Sequence, residues 1–226
     1  MSISKIILEI FFPKICLNCQ REGDWLCQDC LATLEILDLH QKYPSKNLND
    51  LYFGLPYQKS LIKKLIQKFK YSPFIKELSQ VLASIVINHF QLLDNVENFS
   101  EYILIPVPLE KKKLRWRGFN QAEEIAKELT KFFKRPLLSD CLIKVKETQA
   151  QIDLSKKERR ENIRGVFLVK NAERIKGRKI LLIDDVYTTG STMEECARVL
   201  KEAGAKEIVG IVVARASPGQ DKFQNL

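Results

Sequence analysis

The chain is short of the residues that mark several protein classes. It has only two histidines, His40 and His89, so no histidine-centred metal or nucleophile site can be assembled. Nine glycines and eight prolines are too few for a collagen-like or low-complexity chain. No apolar run approaches the roughly 20 residues that cross a bilayer. The longest, such as Ile208 to Ala214, has the length of a strand. The first fifteen residues are apolar but carry Lys5, Glu9 and Lys14 and lack a small-residue cleavage site, so they do not read as a secretion signal. These absences predict a cytoplasmic protein with no integral membrane segment.

What is present is an ordinary globular composition, 45% apolar and 29% charged over 226 residues, enough for one medium domain and a small module. The net charge of +9 is uneven. Residues 1–50 hold 5 basic and 7 acidic groups, residues 51–120 hold 11 and 5, and residues 121–226 hold 21 and 16. Two runs dominate the basic middle, Lys59 to Lys70 and Lys111 to Arg117. Each reads either as a solvated face or as a contact for an anionic partner, whether polyphosphate, nucleic acid or membrane surface.

Four of the six cysteines are clustered as Cys16-Leu-Asn-Cys19 and Cys27-Gln-Asp-Cys30. Two such knuckles bring four thiolates to one ion, the donor set of a closed, structural zinc site. Cys141 and Cys196 lie on apolar faces and are expected to pack. We divide the chain into an N-terminal helix and four-cysteine zinc module (1–35), a linker (36–50) and a main domain (51–226).

Within the main domain, Leu61, Ile62, Leu65, Ile66 and Phe69 share one face of a helix over 60–70, with Lys59, Lys63, Lys64, Lys68 and Lys70 crowding the other. A second helix follows Pro73, and His89 at its end reads as a packing residue. Strands are expected at 102–107, 142–145, 166–169, 180–184 and 208–214, with helices opening at Asn120 and near Thr192. Strands alternating with helices predict an α/β fold whose parallel sheet is covered on both faces.

The most informative stretch is Ile180 to Thr192. A buried strand ends in Asp184 and Asp185, and the hydroxyl-rich loop Thr188-Thr189-Gly190-Ser191-Thr192 then leads into a helix. Ser191 or Thr192 is expected to cap that helix, with Glu194 and Glu195 as reciprocal partners. Free N–H groups at a helix start hold phosphate, and two carboxylates beside it call for sugar hydroxyls or a hydrated cation. A phosphorylated sugar satisfies both.

This stretch resembles the phosphoribosyl pyrophosphate (PRPP) signature of type I phosphoribosyltransferases. Together with Pro106-Val107-Pro108-Leu109, Arg115-Trp116-Arg117-Gly118-Phe119-Asn120-Gln121, Gln151 to Ser155, Arg159, Asn162, Gly165-Val166-Phe167 and the double Cys-x-x-Cys module, the chain is similar to the ComF family of competence-associated proteins. The resemblance implies a Rossmann-like parallel sheet with a small hood, preceded by a four-cysteine zinc ribbon. It also implies that Asp184 and Asp185 contact ribose, that Thr188 to Thr192 bind the 5-phosphate, and that the loop from Pro106 to Gly118 lies near the pyrophosphate. Arg115 and Arg117 would neutralise that leaving group with Mg²⁺, or else serve as surface charge or DNA-phosphate contacts. The polar 146–165 region would be hood and mobile loop, or an exposed connection. Expected partners are PRPP or a related ribose phosphate, single-stranded DNA and proteins of the competence machinery. The expected function is phosphoribosyl transfer to an acceptor that the residues do not identify, or DNA handling on the same scaffold.

Overall fold

The computed structural model of the chain describes residues 13–146 and 163–216. The expectations placed on Gln151 to Ser155, on Arg159 and Asn162, and on most of the polar 146–165 region lie outside these residues.

Four strands form one parallel sheet in the order β1-β6-β5-β2: β1 (Asp50–Pro56), β2 (Tyr102–Pro106), β5 (Lys179–Tyr187) and β6 (Glu207–Arg215). Their sequences are near-continuous apolar runs because both faces are covered. Side chains alternate between the two faces. Leu104, Leu181, Ile183, Val209 and Ile211 pack on one side with α2 (Ser60–Lys70), α3 (Leu78–Leu92) and α5 (Gln121–Phe133). Ile103, Ile105, Ile180, Leu182 and Val212 pack on the other with Met193, Cys196, Ala197 and Leu200 of α6 (Ser191–Glu202).

Two expected strands are not in this sheet. β3 (Leu142–Lys144) and β4 (Phe167–Val169) pair antiparallel with each other and form a separate two-stranded hood. Leu142, Val166 and Phe167 join the core on the α6 side, which holds the hood over that face. The strand absent from the sequence reading is β1, whose Gly54 interrupts an otherwise apolar run. A methyl there would lie 2.9 Å from Ile85 Cγ2, so the glycine lets α3 pack close.

Residues 36–50, expected as a linker, lie against the sheet edge. Leu37 N–H donates to Gly54 O (3.0 Å), Asn49 N–H to Ile208 O (2.8 Å) and Tyr43 N–H to buried Asp50 (2.8 Å). His89 Nδ1 meets Leu37 O at 2.6 Å. His89, Cys141 and Cys196 are all buried, as packing residues should be. The short α1 (Gln28–Ala32) belongs to the cysteine module, whose Leu26, Cys30 and Leu34 share the buried cluster of α2 and α3.

Candidate functional site

Ligand sites in open parallel sheets lie beyond the C-terminal ends of the strands, and here the acid pair lies just before the C-terminal end of β5 at Tyr187. A cleft of about 390 Å³ opens there. Asp185 is buried and paired with Lys70 Nζ at 2.8 Å. Asp184 accepts the Asp185 N–H (2.8 Å). Burial, reinforced by the neighbouring Asp185 charge, pushes the Asp184 carboxyl up to about 7 against the pull of Lys70. Burial opposes the charge on Lys70, yet the two carboxylates together hold its ammonium above the ordinary lysine value. The sequence pattern placed Lys70 on the solvated face of α2. As the last residue of the helix it turns inward instead.

The loop after β5 supplies a second wall, with Thr188 and Thr192 lining the cleft. Gly190 caps α6 in the left-handed region (φ 77°), and a methyl on it would overlap the Tyr187 ring. Ser191 and Thr192 therefore do not cap the helix; they are its first two residues. Thr189 Oγ1 lies 3.0 Å from Ser191 Oγ and ties the turn together. Starting the helix at Ser191 puts Glu194 and Glu195 beyond reciprocal-capping reach, and both are used elsewhere. Glu194 accepts from Ser45 Oγ and from Asn47 N–H (3.1 Å), while Glu195 accepts from Gly165 N–H (2.7 Å) and Arg198.

The third wall follows β2. Pro106 closes the strand, and Val107 and Pro108 line the cleft. Val107 N–H donates to Ile183 O (2.9 Å) and its carbonyl accepts Asn120 Nδ2 (3.0 Å). Asn120 also caps α5 by accepting the Ala122 N–H (3.2 Å). The expected pyrophosphate loop contains a helix, α4 (Lys111–Arg117), stopped by Gly118 in the left-handed region (φ 82°). Gly118 itself is exposed and outside the cleft lining.

That helix corrects one expectation. Residues four apart share a helix face, whereas residues two apart point roughly 200° from each other. Lys113 and Arg117 both line the cleft, and Arg115 does not: it is exposed and borders a separate groove with Lys112 and Lys146. Burial lowers the Arg117 guanidinium from its ordinary value, with Asp185 and Tyr71 pulling it back. Arg117 Nε is buried without a hydrogen-bond partner, as is Nε2 of Gln121, another lining residue. Both are buried donors on residues that line the cleft. Lys144 of the hood adds a further cation to the lining and stands 3.8 Å from buried Glu110. The sequence reading missed Lys70, Lys113, Gln121 and Lys144. For Lys113 the signal was its spacing of four from Arg117, legible once residues 111–117 are recognised as helical.

The four module cysteines meet. Their sulfurs all lie within 4.8 Å of one another, with Cys19 and Cys27 at 3.6 Å. Ligands 2.3 Å from a tetrahedral zinc stand about 3.8 Å apart, so the spacing fits. Asn18 Nδ2 donates to Cys30 Sγ (3.3 Å) and Cys27 N–H to Cys16 Sγ (3.5 Å). Against burial, which pushes the Cys16 thiol up, such N–H donors hold it below the usual thiol range. Cys16, Cys19, Cys27 and Cys30 would thus hold a zinc ion through four thiolates.

No helix among the described residues is long and apolar enough to cross a membrane. A family profile described as phosphoribosyl transferase domain matches residues 116–224. Competence protein F of Haemophilus influenzae is 38% identical over 114 residues, covering 50% of this chain and 50% of that protein. Competence protein ComFC of Streptococcus pneumoniae is 29% identical over 197 residues, covering 85% and 77%. The chain spans about half the length of the first of these relatives. A purine phosphoribosyltransferase from Pyrococcus horikoshii overlays 65% of this chain and 92% of its own at 14% identity, with a TM-score of 0.35.

Proposed function

We propose, starting from a chain that belongs to the ComF family and carries a phosphoribosyltransferase domain of type I fold, that its cleft binds PRPP or a related ribose phosphate. One observation carries this reading. The acid pair near the end of β5, the start of α6 beside Thr188 and Thr192, and the Lys113–Arg117 face of α4 all converge on a single cavity. Asp184 and Asp185 accept ribose hydroxyls. Thr188 to Thr192 take the 5-phosphate at the helix start, where N–H groups and the dipole favour an anion. Arg117, Lys113 and the turn at Val107 and Pro108 face the pyrophosphate.

Transfer would break the C1–O bond, with the electron pair leaving on pyrophosphate, and form a C1–N bond to a nitrogen nucleophile. The cleft residues act by orienting the sugar and stabilising the leaving charge. Mg²⁺ carried by the pyrophosphate would add charge neutralisation. Calorimetry of PRPP binding tests the reading. We expect a measurable affinity in the zinc-loaded protein that Asp184→Asn with Asp185→Asn abolishes; an unchanged affinity in the double variant refutes it.

A second reading is supported by the surface beside the cleft. Trp116 is 61% exposed, with its ring 4.7 Å from Phe74, and Tyr71 is 54% exposed. Exposed Lys112 lies one helical turn before Trp116 on α4. Exposed rings among cations stack single-stranded bases and track their phosphates. Relatives named competence proteins support a role in DNA uptake; with it we propose other competence proteins as partners and a cytoplasmic location, where reduced thiols stay available to zinc. A single-stranded DNA affinity that does not change with salt removes this reading.

A further inference from the structure

We infer that Lys70 is the resident counter-cation of the acid pair, taking the place at Asp185 that a divalent ion would otherwise occupy, so that the cleft grips a ribose without a metal on its own carboxylates. This deepens the sugar-phosphate reading and rests on it.

Two neighbouring acids near the end of one strand carry a charge that burial does not tolerate without compensation. The compensation comes from α2, the basic amphipathic helix. Its last residue sends an ammonium into the cleft, 2.8 Å from Asp185 Oδ1, while Asp185 is only 6% exposed and Lys70 28%. The other lysines of that helix are not part of the cleft lining. The ammonium also stands at a helix C-terminus, where the dipole favours a cation. Arg117 contributes a second positive field toward Asp185.

This arrangement has a consequence for metals. A small divalent ion needs several oxygen ligands in strict geometry. An oxygen of Asp185 is already held by Lys70, so the carboxylates are poor metal ligands while Lys70 stays. The lysine has three N–H donors and Asp185 uses one, which leaves donors for a sugar oxygen beside the acids. The divalent ion of the reaction is then carried by the pyrophosphate end of the ligand.

The test uses the zinc-loaded full chain in buffer cleared of other divalent ions, with ribose 5-phosphate as probe because it lacks the metal-carrying pyrophosphate. The wild type is expected to bind it equally with and without millimolar Mg²⁺. Lys70→Met should lose roughly tenfold or more in metal-free buffer and regain most of it with Mg²⁺, while Lys70→Arg keeps metal-free binding. Metal-free binding by Lys70→Met at the wild-type level, or a loss that Mg²⁺ does not repair in a variant with a native circular dichroism spectrum, overturns the inference. A second arm needs no sugar. Mn²⁺ titration followed by water-proton relaxation should show a site in Lys70→Met, or in Lys70→Gln if the first variant does not fold, that Asp185→Asn removes. An equal Mn²⁺ site in the wild type overturns the inference. If the wild type ignores ribose 5-phosphate under every condition while the Mn²⁺ arm behaves as expected, the sugar-phosphate reading fails and the counter-cation role stands.

Discussion

Arg115 and Arg117 are indistinguishable in the sequence, two arginines around one tryptophan, and α4 separates them. Arg117 lines the cleft, half-buried, with Nε unpartnered and its guanidinium within the field of Asp185. Arg115 is exposed on the far side. Replacing each in turn by methionine keeps the length and apolar stem while removing charge and donors. A hydrogen bond to a charged group in a partly desolvated site contributes about 1.5–3 kcal/mol. Arg117→Met should therefore weaken pyrophosphate and PRPP binding by roughly ten- to one-hundred-and-fifty-fold. An exposed cation contributes about 0–1 kcal/mol, so Arg115→Met should cost no more than about fivefold. Lys113→Met, on the Arg117 face, should fall between them. Titration calorimetry at fixed ionic strength measures all three, with melting temperatures as the control for folding. Equal losses for the two arginine variants, or a larger loss for Arg115→Met, would refute the assembly of the cleft described above. Single-stranded DNA should rank them in the opposite order, because Arg115 sits with Trp116 on the open surface.

Three further outcomes are expected. Gly190→Ala combines a left-handed φ of 77° with overlap of the Tyr187 ring, so its melting temperature should fall by about 5 °C or more and PRPP binding should be lost; an unchanged melt and affinity would show that the loop is not held as described. Asp184 binds its proton more tightly folded (about 7) than at its ordinary value of 3.8, so between those values the folded chain holds more protons and stability declines as pH rises. Urea midpoints should fall between pH 5 and pH 7.5 more steeply in the wild type than in Asp184→Asn, and parallel slopes would contradict the burial of this carboxyl. Elemental analysis should find about one zinc per chain, with Cys30→Ser binding it weakly and melting lower; a stable wild type without bound metal would remove zinc from the module.

Much of the cleft could be read directly because its key parts are contiguous. The acid pair, the hydroxyl loop and the helix behind it follow one another along a single strand–loop–helix unit, where local geometry fixes their relation. The four-cysteine cluster was legible for the same reason, through short spacings. Lys70 was misplaced because an amphipathic pattern assigns a helix's last residue to a face by periodicity alone. A long side chain at a helix end reaches whatever charge the neighbouring element offers, and here that charge is Asp185. The capping carboxylates were misread because one residue's difference in the helix start, set by Gly190 and Tyr187, moves Glu194 and Glu195 out of register.

The sequence by itself determined three of the four sheet strands, the hydroxyl-rich loop after β5 and the four-cysteine cluster, since each is a local run or a short spacing. Only the tertiary structure decided which strands share the sheet and which form the hood. It also decided which of two arginines enters the cleft, and which lysine answers the acid pair. Those outcomes depend on contacts between segments distant along the chain, where packing and charge pairing settle what periodicity leaves open.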